Sequence, residues 1–498
     1  MFLLRVVIIT TIVKSIKDMK PALLKELIMA GIPQLGNTLT ELELDFLGNK
    51  TGASRVIKLS DLLFAAPKLR RLEYTAPEHL SNIIGDFTRS ITLEHPLIDL
   101  HLSSFQTTRD SIEPLLKYCR QLRCLNLHYC MEDFTDLFET YCPNLQLLGY
   151  NFEENYSSAY GDDKLKNRRR SICDSQCSSN NNTSNSNIRQ YHRRLGLKEL
   201  YMADYSMTGM TKFQHFMSLI KNNAATLEVI NIYDFLSISR QQQQTGTLSM
   251  DDILELTNLK NITIGLSHEQ HPVANLLLRS ALVSPALNTL RLPKEANLQT
   301  TIDSLLSLRQ PLQNLKLALL GEENGSDQLV RLLCHYSSLS SLSLPSSSSS
   351  LLTSSPATAL HTIGLADEAN ELTDEVLDAI SDIKTIKRID VYSESSKVSM
   401  KGLSRMFKKL DVVTHVELGG FDFIGDKEIV VLGHILKDRL THIRLYRLND
   451  LTTFGVILLM EYATHLENII VSDCPVIEDT KAIEEFAKMK EIDAKCYC

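Results

Sequence analysis

The chain has 498 residues, too many for one compact core, and 43% of them are hydrophobic and 22% charged, as in ordinary folded proteins. Its net charge of −8 argues against binding to a phosphate backbone, so we expect no nucleic-acid partner. The ten cysteines are scattered along the chain, which excludes a dense disulfide framework and indicates a reducing cytoplasmic or nuclear setting.

The N-terminal stretch MFLLRVVIITTIV is apolar but too short to span a bilayer. Lysines follow the run and no small-residue cleavage site is present, which argues against a signal peptide. Leu4, Val7 and Ile9 instead have the spacing L-x-x-L-x-L, which recurs along the chain. We therefore predict that the chain begins inside a repeat, and we expect no membrane segment.

The clearest copies of this spacing begin at Leu122 and Leu145, with Phe134 and Phe138 at helical spacing between them. A short strand followed by an amphipathic helix, at a period below about 30 residues, is the signature of a leucine-rich repeat. Copies begin at 18 positions: Leu4, Leu39, Leu69, Leu97, Leu122, Leu145, Leu197, Leu227, Leu259, Leu287, Leu312, Leu339, Leu360, Ile386, Val413, Leu440, Leu466 and Met489. One step of 52 residues aside, the mean step from Leu39 to Met489 is about 26.5 residues.

We predict an α/β fold, a leucine-rich-repeat solenoid (horseshoe) with a parallel concave sheet and outer helices. Its N-terminal part is 1–150 and its C-terminal part is 195–498. The interval 151–194 is rich in Asn, Ser and Arg and has no periodic apolar residues, so we predict a disordered insertion. The basic run at 164–171 fits a nuclear-import site, a kinase site or a plain solvated loop.

Three helices of the C-terminal third are predicted to start in the same way. Each has an apolar residue, a hydroxyl residue that caps the helix, and a second apolar residue that packs on the first. The sets are Leu372, Thr373 and Leu377; Val398, Ser399 and Leu403; and Leu451, Thr452 and Val456.

Side chains alternate across a strand, so the residues between the frame positions face away from the core, and here they are polar. A parallel sheet with one polar face implies an open binding surface. The N-terminal part carries mostly acidic residues on that face: Glu41, Glu43, Asp45, Glu73 and Asp99. The C-terminal part is rich in Arg and Tyr, the types enriched at binding hot spots. We predict that the partner binds there, with a solvated polar face as the alternative; the residues are Arg388, Asp390, Tyr392, His415, Glu417, His442, Arg444 and Tyr446.

No nucleotide-binding, hydrolase or metalloprotease motif occurs, so we expect no enzyme activity and no cofactor. Cys173 and Cys177 have a spacing that zinc could use, but no second pair is near in sequence. His415 and His442 occupy equivalent positions in adjacent repeats, as stacked metal ligands would. Because no third ligand is evident, we predict two ordinary surface histidines and no metal site.

Several repeats carry a cysteine near their ends: YCRQLRCLNLHYC, YCPNLQLL and ATHLENIIVSDC. They resemble the cysteine-containing, ribonuclease-inhibitor-like repeats of F-box substrate receptors, and the resemblance spans nearly the whole chain. It implies that the solenoid holds a protein substrate. In that family a three-helix F-box binds the adaptor of a cullin-based SCF ubiquitin ligase.

The chain departs from this family where the F-box should be. The residues that resemble the opening helix of an F-box are Pro21, Leu23, Leu24, Leu27 and Ile28, but about ten residues then remain before Leu39, too few for two more helices. The sequence also has no Trp, which is common near the end of an F-box. Three hypotheses stay open: a receptor whose F-box lies upstream of Met1, a free-standing binding scaffold, and a GTPase-activating solenoid with an arginine finger.

Overall fold

The computed structural model describes residues 39–45, 58–81, 84–87, 94–127, 134–150, 196–203, 210–233, 253–265, 272–292, 298–308, 312–319, 325–342, 359–367 and 371–497. The chain forms two compact units. The first comprises Met1–Ser249 and Leu254–Thr257, and the second comprises Met250–Ile253 and Asn258–Cys498. The predicted insertion at 151–194 lies outside the described residues.

In the first unit, short strands alternate with helices. In chain order these are β1 (Glu41–Asp45), α1 (Leu59–Ala65), β2 (Arg71–Ser81), β3 (Asp99–Gln106), α2 (Arg109–Tyr118), β4 (Cys124–Leu127), α3 (Thr135–Tyr141), β5 (Leu147–Tyr150), β6 (Glu199–Ala203), α4 (Met210–Asn223) and β7 (Val229–Tyr233). Each strand pairs in parallel with the next along the chain.

The second unit continues the same alternation. Its elements are β8 (Asn261–Gly265), α5 (Pro272–Leu282), β9 (Thr289–Leu292), α6 (Leu298–Leu306), β10 (Asn314–Leu319), α7 (Gly325–Leu342), β11 (Thr362–Asp367), α8 (Asp374–Ser381), β12 (Arg388–Ser393), α9 (Met400–Lys409), β13 (His415–Gly419), α10 (Asp426–Leu436), β14 (His442–Tyr446), α11 (Thr453–Tyr462), β15 (Asn468–Ser472), α12 (Thr480–Met489) and β16 (Asp493–Tyr497). Its strands are also parallel, each paired with its neighbours in sequence.

The predicted leucine-rich-repeat solenoid is confirmed, because the strands, with a helix between most neighbouring pairs in the described residues, build a parallel sheet whose core lies between sheet and helices. Fifteen of the predicted frame positions, from Leu39 to Leu466, lie two residues before the first residue of a strand. The later frame residues, such as Leu100 and Leu102 of β3, are fully buried. The frame at Leu4 lies outside the described residues.

Two predicted frames are wrong. Leu339 lies inside α7, where it continues a buried helical stripe formed by Leu332 and Tyr336. Met489 is the last residue of α12, and the register of the final strand sets Ala494 beside the frame residue Ile469 of β15. The true frame therefore starts two residues later than predicted, and its inward positions are weakly apolar.

The three predicted helix starts are confirmed. The hydroxyl of Thr373 accepts a hydrogen bond from the backbone N–H of Val376, and that of Ser399 accepts one from Gly402. Thr452 caps α11 in the same way, and the apolar residues that flank all three caps are buried. None of the helices among the described residues is both long and apolar enough to cross a membrane.

Candidate partner-binding face

The eight predicted binding residues lie together on three neighbouring strands, β12, β13 and β14. Together with Gly419, they form three rows across the sheet: Arg388, His415 and His442; Asp390, Glu417 and Arg444; Tyr392, Gly419 and Tyr446. The residues between them, such as Ile389 and Val391, are fully buried in the core. The rows therefore occupy the face of the sheet directed away from the helices. We call these eight residues the β12–β14 patch.

Two ion pairs neutralise charge within this patch. Arg388 contacts Glu417 on the next strand, and the two side chains are 29% and 12% exposed. Asp390 contacts Lys316 Nζ at 2.5 Å. Lys316 lies two strands away on β10, and the sequence did not indicate its role. The patch therefore presents compensated rather than isolated charges.

A glycine makes the longer of these ion pairs possible. Gly364 of β11 lies directly between Lys316 and Asp390 in the sheet register. A Cβ atom at this position would lie 2.6 Å from Lys316 Cγ, a distance that side chains do not tolerate. Because Gly364 has no side chain, Lys316 can extend across β11 and reach Asp390 on β12.

The row of aromatic residues is built in the same way. The rings of Tyr392 and Tyr446 stack with their centroids 5.7 Å apart, over Gly419 of the intervening strand. The guanidinium of Arg444 lies 5.5 Å from the ring centroid of Tyr446, and that of Arg447 lies 5.9 Å from Tyr392. Cation–π contacts of this kind contribute about 0.5–1 kcal/mol at exposed sites. Arg447 was not identified from the sequence.

The tyrosines of this row remain protonated phenols. Burial raises the pKa of Tyr446, and the negative charges of Asp390 and Glu417 raise it further. Burial also raises the pKa of Tyr392, whose hydroxyl donates a hydrogen bond to Glu394. Both groups can therefore serve as hydrogen-bond donors and as apolar surface, and neither is prepared to act as a base.

The two histidines of the patch stack closely. Their ring centroids are 4.1 Å apart and the ring planes differ by 9°. The Nδ1 atom of His415 is 2.8 Å from the hydroxyl of Thr414, and that of His442 is 2.9 Å from the hydroxyl of Thr441. Burial lowers the pKa of His415 to about 4, with smaller effects from the charges of His442 and Arg388. His415 is therefore neutral near pH 7.

The outward face of the first unit differs from the predicted polar surface. Glu41 and Glu43 are exposed, and Glu41 pairs with Arg71 at 3.2 Å, but Asp99 is buried. Further along, most outward positions of β4 to β7 carry apolar side chains, which pack with Ile98 into one buried cluster. Its other residues are Cys124, Leu147, Tyr201, Ala203, Val229 and Tyr233. Asn126 and Asn231 are polar but also buried, so the expectation of a solvated polar face fails for most of these positions.

The structure places Cys474, one of the cysteines behind the family resemblance, in the core, where its thiol lies 3.4 Å from the carbonyl oxygen of Ser472. Cys119, Cys124 and Cys142 of the quoted repeats are also buried, whereas Cys130, Cys173 and Cys177 lie outside the described residues. Within the described parts of the chain, no group of three or more His, Cys, Asp or Glu side chains is placed to share a metal ion.

Comparison with known proteins adds little beyond the fold. No protein-family model matches the sequence, and no curated protein sequence is similar to it. Among solved structures, the chain is similar to the complex of Rad7 and Elc1 from yeast, with 13% identity over 57% of this chain and 78% of that one, and a TM-score of 0.33. It is also similar to the leucine-rich repeat-containing protein LegL7 from Legionella pneumophila, with 11% identity over 54% and 89% of the two chains and a TM-score of 0.30.

Proposed function

We propose that the chain is a non-catalytic scaffold that binds a protein partner on the β12–β14 patch. The supporting observation is that the patch is ordered by its own contacts. Tyr392 and Tyr446 are stacked, and Arg388 is held by Glu417. Each flexible side chain that is fixed before association spares about 0.5–1.5 kcal/mol of ordering cost. Arg and Tyr also dominate the energy of many interfaces.

Reversing the charge of Arg388 and Arg444 together (R388E/R444E) is expected to reduce partner capture tenfold or more. Both guanidinium groups lie on the outward face, and the substitutions remove two potential hot-spot contacts and repel any acidic group that they bind. The tagged full-length chain and the variant would be used for affinity capture from the cells that express them. Mass spectrometry would then quantify each captured protein.

The control separates loss of the patch from a general change of charge. Lys401 and Lys408 are exposed on α9, on the helical side of the same unit, and K401E/K408E changes the net charge equally. Because R388E also places two carboxylates together at Glu417, thermal melting must show that the variant is folded. A true partner is lost with R388E/R444E and kept with K401E/K408E. If every captured protein is retained by R388E/R444E, the patch is not the binding site.

The narrower proposal is that this scaffold is the substrate-recognition part of an SCF-type ubiquitin ligase receptor. The resemblance of the cysteine-bearing repeats supports it, and Cys474 is packed in the core as a repeat cysteine should be. The partner held by the β12–β14 patch would then be the substrate. The alternative is a scaffold of the same fold with no ligase attached.

These two functions predict different complexes. If the protein is a ligase receptor, the full-length product of the gene should co-purify with the SCF adaptor and a cullin. R388E/R444E should leave that association intact, because the patch contacts substrate and not adaptor. Capture of a patch-dependent partner without adaptor or cullin would contradict the ligase proposal and leave the free-standing scaffold.

A further inference from the structure

The residue that follows β14, Arg447, has a backbone conformation that favours glycine. Its φ angle is 51°, in the left-handed region, where a side chain crowds the backbone. The same turn follows the two neighbouring strands, with Gly420 after β13 and Asp473 after β15. In all three, the backbone N–H of this residue donates a hydrogen bond to the carbonyl oxygen of the last residue of the next strand. Glycine suits this turn and aspartate is tolerated in it, whereas an arginine there is strained.

The side chain of Arg447 makes few contacts that would offset this strain. It is exposed, and its guanidinium lies 5.9 Å from the ring centroid of Tyr392. Its Nη1 atom donates a long hydrogen bond of 3.4 Å to the Tyr392 hydroxyl, which itself donates to Glu394. The guanidinium makes no ion pair with the described residues. Backbone strain that the fold does not need is found most often at binding sites.

The guanidinium of Arg447 differs from the paired cations of the same face. Arg388 and Lys316 each contact a carboxylate of the patch, so both charges are neutralised within the sheet. Arg447 uses one of its five N–H donors on Tyr392, and the donors lie in a planar fork that matches the two oxygens of a carboxylate. The contact with Tyr392 also keeps this fork beside the row of tyrosines, which lowers the ordering cost of binding.

We infer that Arg447 extends the binding surface of the β12–β14 patch and that its guanidinium binds a carboxylate side chain of the protein partner. The inference rests on the proposed function, since the patch supplies the rest of the interface. It goes further in two respects. It adds a contact residue that the sequence did not indicate, and it states that the partner presents an Asp or Glu side chain at the end of the tyrosine row.

The first variant is Arg447→Gly, tested in the full-length chain. The probe is the set of captured proteins that depend on the patch, as judged by R388E/R444E and its control. R447G is expected to capture at least about tenfold less of them, because it removes the group that binds the carboxylate. Its melting temperature should fall by no more than about 3 °C, because relief of the strain offsets the lost contact with Tyr392. A larger fall would mean that the side chain serves the fold, and it would overturn the inference.

Glu491→Gly is the matched control, because it relieves the same kind of strain at another turn. Glu491 lies between α12 and β16, is exposed and has a φ angle of 59°. Glycine is favoured at such helix ends, so E491G should raise the melting temperature by about 1–3 °C. Capture of the patch-dependent proteins should be unchanged. Equal losses of capture in E491G and R447G would contradict a specific role for the guanidinium.

Arg447→Lys tests the assignment of the carboxylate. Lysine keeps the positive charge and the strained backbone but has no planar fork, so R447K should capture about threefold to tenfold less than the unaltered chain. If R447K captures as much as the unaltered chain, the fork does not recognise the bound group and the assignment is wrong. If R447G retains every protein that R388E/R444E loses, Arg447 is not a contact, while the proposed function stands. If no captured protein depends on the patch, the proposed function fails and this inference fails with it.

Discussion

Replacing Asp367 by alanine is expected to lower the free energy of unfolding of the second unit by about 3–5 kcal/mol. Asp367 ends β11 and is completely buried. Its carboxylate accepts hydrogen bonds from the backbone N–H groups of Glu371 and Leu372, each at 2.9 Å, and from the hydroxyl of Ser393 at 3.0 Å. Each buried donor left without an acceptor costs about 1–3 kcal/mol, and more where the lost partner is charged.

Variants that remove fewer of these hydrogen bonds should lose less stability. Ser393→Ala leaves the carboxylate its two backbone partners but also removes the acceptor of the buried Ser395 N–H, so we expect a smaller loss of about 1–3 kcal/mol. Asp382→Ala is the matched control, since Asp382 is more than half exposed and its ion pair with Lys409 spans 3.6 Å. Such a pair contributes little, and the control should lose less than about 0.5 kcal/mol.

Urea denaturation followed by circular dichroism measures the overall loss for these three variants. Hydrogen exchange at the Glu371 and Leu372 amides shows whether the damage starts at the lost hydrogen bonds, because repeat arrays can open locally. If Asp367→Ala is no less stable than Asp382→Ala, the hydrogen bonds of the buried Asp367 carboxylate do not stabilise the second unit.

The strand positions could be predicted because one physical rule sets them. A solenoid must bury the same inward positions in each repeat, so spacing identifies fifteen strands even where individual triplets would also occur by chance. The rule fails at Leu339 because the apolar stripe of a long helix also contains leucines three residues apart. It fails at Met489 because the last repeat has weak inward residues, so the register there depends on strand pairing.

The sequence predicted which residues of the candidate site lie beside each other on neighbouring strands, but not which side chains contact each other. The shared frame places Arg388, His415 and His442 side by side, as observed. The pairing of Lys316 with Asp390 depends on the absence of a side chain at Gly364 on the intervening strand, and no local pattern encodes it. The threonine before each histidine was visible as a repeated Thr-His pair.

The sequences of the strands β4 to β7 indicate that their outward face is buried, although the spacing of the frame residues alone does not show this. Strand β7 reads VINIY, apolar at every position except Asn231, and strand β5 reads LLGY. Strands with apolar residues on both faces are typical of parallel sheets covered on both faces. The polar alternation of β12 to β14 therefore distinguishes the patch from the rest of the sheet better than the repeat frame does.

Replacing Gly455 by alanine is expected to destabilise the second unit by about 2 kcal/mol, although alanine is the better helix former by about 1 kcal/mol. Gly455 is the third residue of α11, and an added Cβ would lie 2.1 Å from Asp426 Oδ1. That carboxylate accepts hydrogen bonds from the backbone N–H of Thr452 at 2.9 Å and from its hydroxyl at 2.7 Å. The extra methyl group would displace the carboxylate and disturb the helix cap.

A double-mutant cycle tests this cause directly. Asp426→Ala alone should cost about 1–2 kcal/mol through the loss of the two hydrogen bonds to Thr452. Once that carboxylate is absent, alanine at position 455 meets no obstacle and its helix propensity becomes favourable, so the double variant should be more stable than the sum of the single losses by about 1–2 kcal/mol. Asp374 and Gly402 repeat the arrangement at the start of α9, with the same 2.1 Å approach, and should give the same coupling. The stabilities are measured by urea denaturation. If the losses are additive at both sites, a clash with the carboxylate of the preceding repeat is not the reason why these positions require glycine.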